Sequence, residues 1–326
     1  MTRPRLALFA LGGTIAMREG GAGGLVPALD GDALAAAVPG LAAIATLKVE
    51  TVARVASANL AIGDMVRLAG RIDSAVADGA RGIVVTQGTD TLADSAFLLG
   101  MMLQPSVPVI LTGAMRGPDQ PSSDGPANLL AAATAAATPA LAECGVLVVM
   151  NERLHAARFV EKRHSTSLDA FASRDGGPVS RLCEGRVLGL ARPRLPPRLP
   201  RPAPGAPLPR VVLVPAVFGS DGAELDHLPP DTAGVVIAAF GAGHLSEPMA
   251  DRAASLAGRM PVILASATGA GPVLECTYGY RGGERDLIAR GLIPAGDLSP
   301  AKARLLLVLA LAAGRTREEI ASLLKS

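Results

Sequence analysis

Short apolar runs alternate along the chain with alanine-rich stretches that have helical periodicity. In the first half, such runs predict strands at residues 6–11, 82–86, 107–112 and 145–150. The stretches between them predict helices, among them residues 64–77, 92–102 and 126–137. Continuous apolar strands that alternate with helices are typical of a parallel sheet covered by helices on both faces. The sequence therefore predicts an α/β fold.

The second half of the chain repeats this alternation. It predicts strands at residues 211–217, 234–240 and 261–266 and helices at residues 247–258, 284–290, 300–313 and 317–324. Between the halves, residues 191–210 contain eight prolines and five arginines, which favours an extended, polyproline-like linker. We therefore predict a larger N-terminal parallel-sheet domain over residues 1–190. A smaller, flavodoxin-like or Rossmann-like α/β domain is expected over residues 211–326.

Charge and hydropathy argue against a dedicated nucleic-acid-binding protein and against a membrane-spanning protein. The net charge is +2, from 31 basic and 29 acidic residues, which is too balanced for a dedicated nucleic-acid-binding protein. The arginines of the linker fit either a basic stripe or a solubilised proline-rich segment. The longest strongly apolar run, residues 305–313, is about half of the roughly 20 residues that a spanning helix needs, so no membrane segment is predicted. The N-terminal apolar run continues directly into Gly-Gly-Thr, which favours a buried strand over a signal peptide and predicts a cytoplasmic protein.

Cysteine and histidine spacing gives no sign of a metal centre. The three cysteines are far apart, without a C-x-x-C pair, and the four histidines form no H-E-x-x-H motif. The segment Gly241–Gly243 is only a fragment of a dinucleotide-binding fingerprint, because the third glycine is missing. We therefore expect neither a metal nor an organic cofactor.

The residues that follow the first strand are the first candidate site. In open parallel sheets, ligands bind beyond the carboxyl ends of the strands. Gly12 and Gly13 allow a tight turn there, and they present the hydroxyl of Thr14 next to backbone N–H groups. A threonine hydroxyl acts as a nucleophile when a neighbouring group removes its proton. The same residues also fit a plain turn with a threonine cap.

The next strand ends in a second threonine-bearing turn, TQGTDT. Thr91 and Asp94 have the T-x-x-D spacing that predicts a capped helix start. Thr89 and Asp90 are then expected at the positive end of that helix, in the same crevice as Thr14. A carboxylate there can hold a substrate ammonium, and backbone N–H groups can hold an oxyanion. The alternative interpretation is a run of polar capping residues.

Lysine is rare in this chain, since it occurs only at positions 48, 162, 302 and 325. Lysine can shift its pKa and transfer a proton, whereas arginine cannot. Lys162 follows the fourth predicted strand and is a candidate proton acceptor next to the Thr89–Asp90 pair. By contrast, Ser123–Asp124–Gly125–Pro126 predicts an ordinary capped helix start with a structural role.

Several motifs together resemble the bacterial L-asparaginase (asparaginase/glutaminase) family over nearly the whole chain. They are ALGGTIA, VVTQGTDTLADSAFLL, PVILTGAMR, SSDGPANL, GVLVVMN and GDLSPAKARLLLVLAL. The resemblance implies hydrolysis of the side-chain amide of L-asparagine to L-aspartate and ammonia, without a cofactor. It also implies a homotetramer of intimate dimers, with each active site at a dimer interface and a small amino-acid amide as the substrate.

The resemblance assigns roles to particular residues. It makes Thr14 the nucleophile, Thr89 and Lys162 further catalytic residues, and Asp90 both catalytic and substrate-binding. It implies substrate contacts from the residues Ser57, Gly88, Ala114 and His244. Asn59, Gln87 and His244 depart from the common family residues at their positions, which leaves open the preference between asparagine and glutamine.

The family's mobile lid usually carries a tyrosine beside the nucleophile, but this chain has no tyrosine before position 278. Its lid segment, residues 18–24, is rich in glycine. We therefore predict that Tyr278 crosses the dimer interface and places its hydroxyl near Thr14, with Glu19 or Glu275 as its partner. Two other functions stay open. They are the amidase subunit of a tRNA-dependent amidotransferase and a catalytically weak amino-acid-binding protein.

Overall fold

The computed structural model describes residues 3–21 and 23–325, so Met1, Thr2, Ala22 and Ser326 lie outside it. Ala22 belongs to the lid segment predicted from the sequence. The chain divides into two compact units, Met1–Arg198 and Leu199–Ser326. This division falls inside the proline-rich segment 191–210.

The N-terminal unit is a mixed α/β structure. Its strands are β1 (Arg5–Gly12), β2 (Met17–Glu19), β3 (Leu25–Pro27), β4 (Thr46–Val55), β5 (Gly82–Thr86), β6 (Val109–Thr112), β7 (Val146–Met150), β8 (Arg153–Ala156), β9 (Val160–Lys162), β10 (Phe171–Ser173), β11 (Ser180–Cys183) and β12 (Arg186–Leu188). Its α-helices are α1 (Gly31–Ala36), α2 (Leu41–Ile44), α3 (Ile62–Ala77), α4 (Leu92–Met102) and α5 (Gly125–Ala136).

The main sheet has eight strands in the order β12-β11-β8-β7-β6-β5-β1-β4 across the described residues. Strands β4, β1, β5, β6 and β7 are parallel, whereas β8, β11 and β12 add an antiparallel end. The sheet is therefore parallel over five strands, as predicted, and the antiparallel end formed by β8, β11 and β12 adds to that prediction. The turn between β7 and β8 has only two residues, Asn151 and Glu152, with φ of 49° and 59°. Such a short turn with positive φ reverses the chain into a hairpin.

Alanine and glycine let the helices approach the sheet closely. The alanine-rich helix α5 packs with β1, β5, β6 and β7 in one buried cluster. A β-carbon at Gly82 would lie only 2.1 Å from the carbonyl oxygen of Ala136, at the end of α5. Close packing of small residues therefore replaces the aromatic side chains that this chain lacks.

The first part of the proline-rich segment, residues 191–198, belongs to the N-terminal unit and packs there as a strap without helix or strand. Pro196 and Pro197 are buried, and a β-carbon at Gly100 of α4 would lie 3.0 Å from the Pro196 ring. Arg192 pairs with Glu143 at 2.8 Å, and Arg198 donates to the carbonyl oxygen of Leu103. These two arginines are therefore engaged by the protein itself, which disfavours the basic-stripe interpretation.

The C-terminal unit holds a smaller, four-stranded parallel sheet in the order β13-β14-β15-β16. Its elements are β13 (Arg210–Pro215), β14 (Thr232–Ala239), β15 (Val262–Ser266), β16 (Ile293–Pro294), α6 (Glu247–Ala257), α7 (Glu284–Ala289), α8 (Pro300–Ala312) and α9 (Arg317–Lys325). The predicted fold class, a larger N-terminal and a smaller C-terminal α/β domain, is confirmed. Among the described residues, no helix has the length and apolarity to cross a membrane.

Candidate active site

Three turns of the N-terminal unit meet at Gly88, beyond the carboxyl ends of β1, β4 and β5. A β-carbon at Gly13 would lie 2.1 Å from the backbone nitrogen of Gly88, and one at Gly88 would lie 2.7 Å from Ser57 Oγ. Gly12 and Gly13 have φ of 94° and 83°, a region that favours glycine. Glycine is therefore required at these positions, because any side chain would push the turns apart.

Thr14 begins the short 3-10 helix Thr14–Ala16 directly after β1 and is partly exposed. The Gly13 N–H donates to the Val55 carbonyl at 3.1 Å, which ties this turn to the end of β4. The close approach of Gly13 to Gly88 brings the turn that carries Thr14 against the turn that carries Thr89. The two threonine motifs therefore lie at one place in the fold.

Lys162 is the charged centre of this site. Its Nζ lies 2.9 Å from Thr89 Oγ1 and 2.7 Å from Asp90 Oδ1. The lysine side chain is 17% exposed, whereas that of Asp90 is 71% exposed. Lys162 stands on β9, which pairs with β10, and not on a loop. The hairpin thus delivers an ammonium to the end of β5, from 73 residues further along the chain.

The predicted T-x-x-D cap is wrong, because α4 begins without a side-chain cap from Thr91. The Thr91 hydroxyl instead donates to the carbonyl oxygen of Ser57 at 3.1 Å. Gln87 Nε2 approaches Thr91 Oγ1 at 3.3 Å. The Thr91 hydroxyl therefore donates to a distant carbonyl and accepts from Gln87, and it accepts from no N–H group at the start of α4.

Asp124 also departs from its predicted role as a helix cap, since its side chain makes no cap bond to α5. Its carboxylate accepts from the backbone amides of Met115 and Arg116, at 3.0 Å and 2.9 Å. Asn128 donates to the Gly113 carbonyl at 3.0 Å and accepts from the Asn151 N–H at 3.1 Å. These bonds fix the turn after β6, where the buried Ala114 lies, so the structural role expected for this motif has a different mechanism.

His244 and Tyr278 belong to the C-terminal unit, where their rings meet edge to face with centroids 4.8 Å apart. His244 Nε2 lies 3.5 Å from Oε2 of Glu284, a fully buried carboxylate. The other oxygen, Oε1, accepts from the backbone amides of Thr277 and Tyr278, at 2.7 Å each. Burial raises the pKa of Glu284, but these amides, its own N–H and His244 lower it, and the net pKa falls below its usual value.

Sequence reasoning missed Glu284, which it treated only as a helix start. The available signal was an acidic residue directly after Gly282 and Gly283, at the first position of a helix. Of the two acids that were proposed to assist Tyr278, Glu275 pairs with Lys325 at 3.0 Å. Glu19 is exposed on β2, in the hairpin that β2 forms with β3.

The fold and this site define a two-unit α/β protein with a Thr–Asp–Lys cluster beyond the carboxyl ends of its main sheet. Within the described residues, no group of three histidine, cysteine or acidic side chains could hold a metal ion. Family models match both units: "Asparaginase, N-terminal" over residues 5–194 and "Glutaminase/Asparaginase C-terminal domain" over residues 210–324. The chain belongs to the asparaginase family.

Individual relatives agree with this assignment. The chain is 39% identical to the "Probable L-asparaginase" of Deinococcus radiodurans, over 97% of this chain and 96% of that protein. It is 37% identical to one chain of a glutamyl-tRNA(Gln) amidotransferase of Methanococcus vannielii, over 54% of this chain and 43% of that protein. Among solved structures, the "Probable Cytoplasmic L-asparaginase" from Campylobacter jejuni superposes with a TM-score of 0.84 at 31% identity, covering 99% of this chain and 100% of that chain.

Proposed function

We propose that this protein is an L-asparaginase, which hydrolyses the side-chain amide of L-asparagine to L-aspartate and ammonia. The observation that carries the proposal is the Lys162 ammonium within hydrogen-bond distance of both Thr89 and Asp90, on a turn packed against the turn of Thr14. This arrangement supplies a hydroxyl, a carboxylate and a cation beyond the carboxyl ends of a sheet, where α/β proteins bind small ligands.

In the proposed mechanism, Thr14 Oγ attacks the side-chain carbonyl carbon of asparagine. Backbone N–H groups of the turns at Thr14 and Thr89 stabilise the oxyanion. The C–N bond breaks, the proton of the Thr14 hydroxyl leaves with the amine as ammonia, and an ester remains. Water then cleaves the ester, which releases aspartate and restores the Thr14 hydroxyl.

Thr89 is suited to orient that water. Its oxygen accepts from Lys162, so its own proton is free to be donated elsewhere, since a hydroxyl has one proton and two acceptor positions. Asp90 is exposed enough to hold the substrate ammonium. Ser57 binds the α-carboxylate, and Gly88 and Ala114 line the site through their backbones. In this scheme residues 1–190 form the catalytic domain, and residues 211–326 form a second domain joined by the proline- and arginine-rich linker 191–210.

We also propose that the enzyme is a cytoplasmic homotetramer built from intimate dimers. His244 and Tyr278 are then supplied to the active site of a neighbouring protomer, with the Tyr278 hydroxyl near Thr14. The supporting observation is that Tyr278 is 41% exposed on the C-terminal unit, with the partly buried His244 ring against it. Sedimentation of the purified protein tests the assembly, and a fully active monomer at assay concentration contradicts it.

Ammonia release from L-asparagine by the purified protein tests the reaction. Thr14→Ala is the negative variant, since it removes the attacking hydroxyl together with the neighbouring methyl group. The amidotransferase alternative rests on matches to the D subunit of that enzyme. This chain covers 43% of the subunit from Methanococcus vannielii and 78% of the one from Methanosarcina acetivorans, against 96% of the asparaginase relative. Hydrolysis of free asparagine without tRNA supports the asparaginase. A strict requirement for glutamyl-tRNA supports the alternative.

A further inference from the structure

Thr91 forms a long-range hydrogen bond where a local one was expected. It precedes α4, at the position whose side chain usually caps the helix. Its hydroxyl does not do so, and it donates to the Ser57 carbonyl at 3.1 Å, across 34 residues of sequence. The side chain thus joins two separate turns of the candidate site.

Gln87 forms a second hydrogen bond with the Thr91 hydroxyl. Its side chain is fully buried, and its Nε2 lies 3.3 Å from Thr91 Oγ1 and 3.4 Å from the Gly88 carbonyl. A hydroxyl has a single proton. Because Thr91 gives that proton to Ser57, it can only accept from Gln87. The result is a directed relay from Gln87 through Thr91 to the backbone of Ser57.

The far end of the relay carries the hydroxyl of Ser57. Ser57 opens the short 3-10 helix Ser57–Asn59, and its Oγ makes no hydrogen bond within the described part of the chain. The same oxygen packs against Gly88, where a β-carbon would come within 2.7 Å. Ser57 is therefore located both by contact with Gly88 and by the bond from Thr91.

We propose that Thr91 is a positioning residue for the substrate carboxylate, and that Gln87 orients it. The inference rests on the proposed function, in which Ser57 binds the α-carboxylate of the substrate. The turn that carries Thr89, which orients the water, and Asp90, which holds the α-ammonium, then also positions Ser57, which binds the α-carboxylate. The relay selects amides that carry an α-carboxylate at this fixed spacing, and it does not take part in the chemistry.

The test compares Thr91→Val, which keeps the shape but lacks the hydroxyl, with Thr91→Ser, which retains it. Each is assayed with L-asparagine and with 3-aminopropanamide, the same compound without the α-carboxylate. Thr91→Val should raise KM for L-asparagine about three- to tenfold and leave kcat nearly unchanged. Its kcat/KM for 3-aminopropanamide should equal that of the parent, and Thr91→Ser should restore KM for L-asparagine.

Thr134→Val is the matched control. It removes a hydroxyl that donates to the Leu130 carbonyl at 2.9 Å inside α5, away from the three turns. It should leave KM for both substrates unchanged. If Thr91→Val does not fold, Gln87→Leu, which removes the side-chain amide that donates to Thr91, should raise KM for L-asparagine in the same direction and by a smaller factor.

Calorimetric titration with L-aspartate gives a reading that does not depend on turnover. Thr91→Val should weaken aspartate binding by the same factor as its KM rises. Equal losses with both substrates, a fall in kcat at unchanged KM, or failure of Thr91→Ser to restore KM would overturn the positioning role. A parent protein that releases no ammonia from L-asparagine contradicts the proposed function instead. The aspartate titration then still decides the role of Thr91, and absence of any aspartate binding by the parent overturns both.

Discussion

The Thr89–Asp90–Lys162 cluster of the N-terminal unit and the His244–Glu284 cluster of the C-terminal unit differ in how their polar atoms are satisfied. Lys162 reaches two oxygens at 2.9 Å and 2.7 Å, so the first cluster is paired within one chain. In the second cluster, Glu284 Oε1 accepts two amides, while Oε2 has no hydrogen-bond partner among the residues that the structure describes. This oxygen lies 3.5 Å from His244 Nε2, and the His244 ring is a cation only when it is protonated.

This difference separates a cluster whose charged groups are paired with each other from one that leaves a buried carboxylate oxygen without a hydrogen bond among the described residues. A buried acceptor without a hydrogen bond costs about 1–3 kcal/mol, and more when it is charged. Glu284 is nevertheless held in its ionised form by the amides around it, since its pKa is lowered overall. The N-terminal cluster should therefore control the chemical step, and the C-terminal cluster should act through proton transfer and binding.

The largest effect is expected for the N-terminal cluster. Thr14→Ala, Thr89→Val and Lys162→Met should each lower kcat by about 10³-fold or more, because they remove the attacking group or its supporting charge. Residues that act as one unit are non-additive, so the Thr89→Val/Lys162→Met double variant should lose little more than the worse single variant. Steady-state ammonia release measures this. Lys48→Met, at an exposed lysine, is the control. Near-native kcat in folded Lys162→Met would rule out the role of Lys162.

The next effect concerns Tyr278. Tyr278→Phe keeps the ring contact with His244 and removes only the hydroxyl, so it should lower kcat by about 10²–10⁴-fold if that hydroxyl transfers a proton. Tyr280→Phe is the matched control. The Tyr280 ring is also exposed, and its centroid lies 6.2 Å from that of the Tyr278 ring. A Tyr278→Phe enzyme as active as the parent would limit Tyr278 to packing and leave the acceptor for the Thr14 proton elsewhere.

A smaller effect is expected for His155, which contacts the hairpin that carries Lys162. His155 Nδ1 lies 2.9 Å from Ser173 Oγ on β10, the strand that pairs with β9. Burial, together with Arg153, lowers the pKa of His155 to about 4, although Asp169 opposes this shift. Between pH 6.5 and about 4, His155 is protonated in the unfolded chain but neutral in the folded protein. The free energy of unfolding therefore falls as the pH drops from 6.5 to about 4.

The expected loss of stability is about 3 kcal/mol over that interval. Urea unfolding at pH 7 and pH 4.5 measures it. His155→Asn, which cannot be protonated, should show a shallower dependence on pH. An unchanged slope in the variant would show that other groups dominate acid unfolding.

The smallest effect is expected for Glu284. Because its pKa is lowered in the folded protein, its carboxylate stabilises the fold above the ordinary glutamate pKa, and this contribution is lost as the pH falls through the lowered value. Glu284→Gln keeps an oxygen for the amides of Thr277 and Tyr278 but not the charge. It should cost about 1–2 kcal/mol at pH 7 and less at acid pH. Thermal unfolding at both pH values measures it, and an equal cost at both would assign the effect to packing.

Particular elements show why some parts of the fold were predictable. Strands β1, β5, β6 and β7 are buried on both faces and read as continuous apolar runs, so the sequence located them within two residues. Strand β4 lies at the sheet edge and alternates exposed and half-buried residues, without a strong apolar signal, and it was missed. Strands β8, β11 and β12 were missed for a related reason, since each has only three or four residues.

The sequence by itself determined the alternation of strands and helices, the two halves, and which residues carry hydroxyl, carboxylate and ammonium groups at the strand ends. These follow from local periodicity and residue chemistry. Only the tertiary structure decided that Lys162 reaches Thr89, that Thr91 serves Ser57 in place of its own helix, and that Glu284 lies buried beside His244. The hydrogen bonds concerned join residues far apart in the chain, or place a charge in the interior. Their formation depends on which turns the folded sheet brings together, and no spacing within a single segment encodes that.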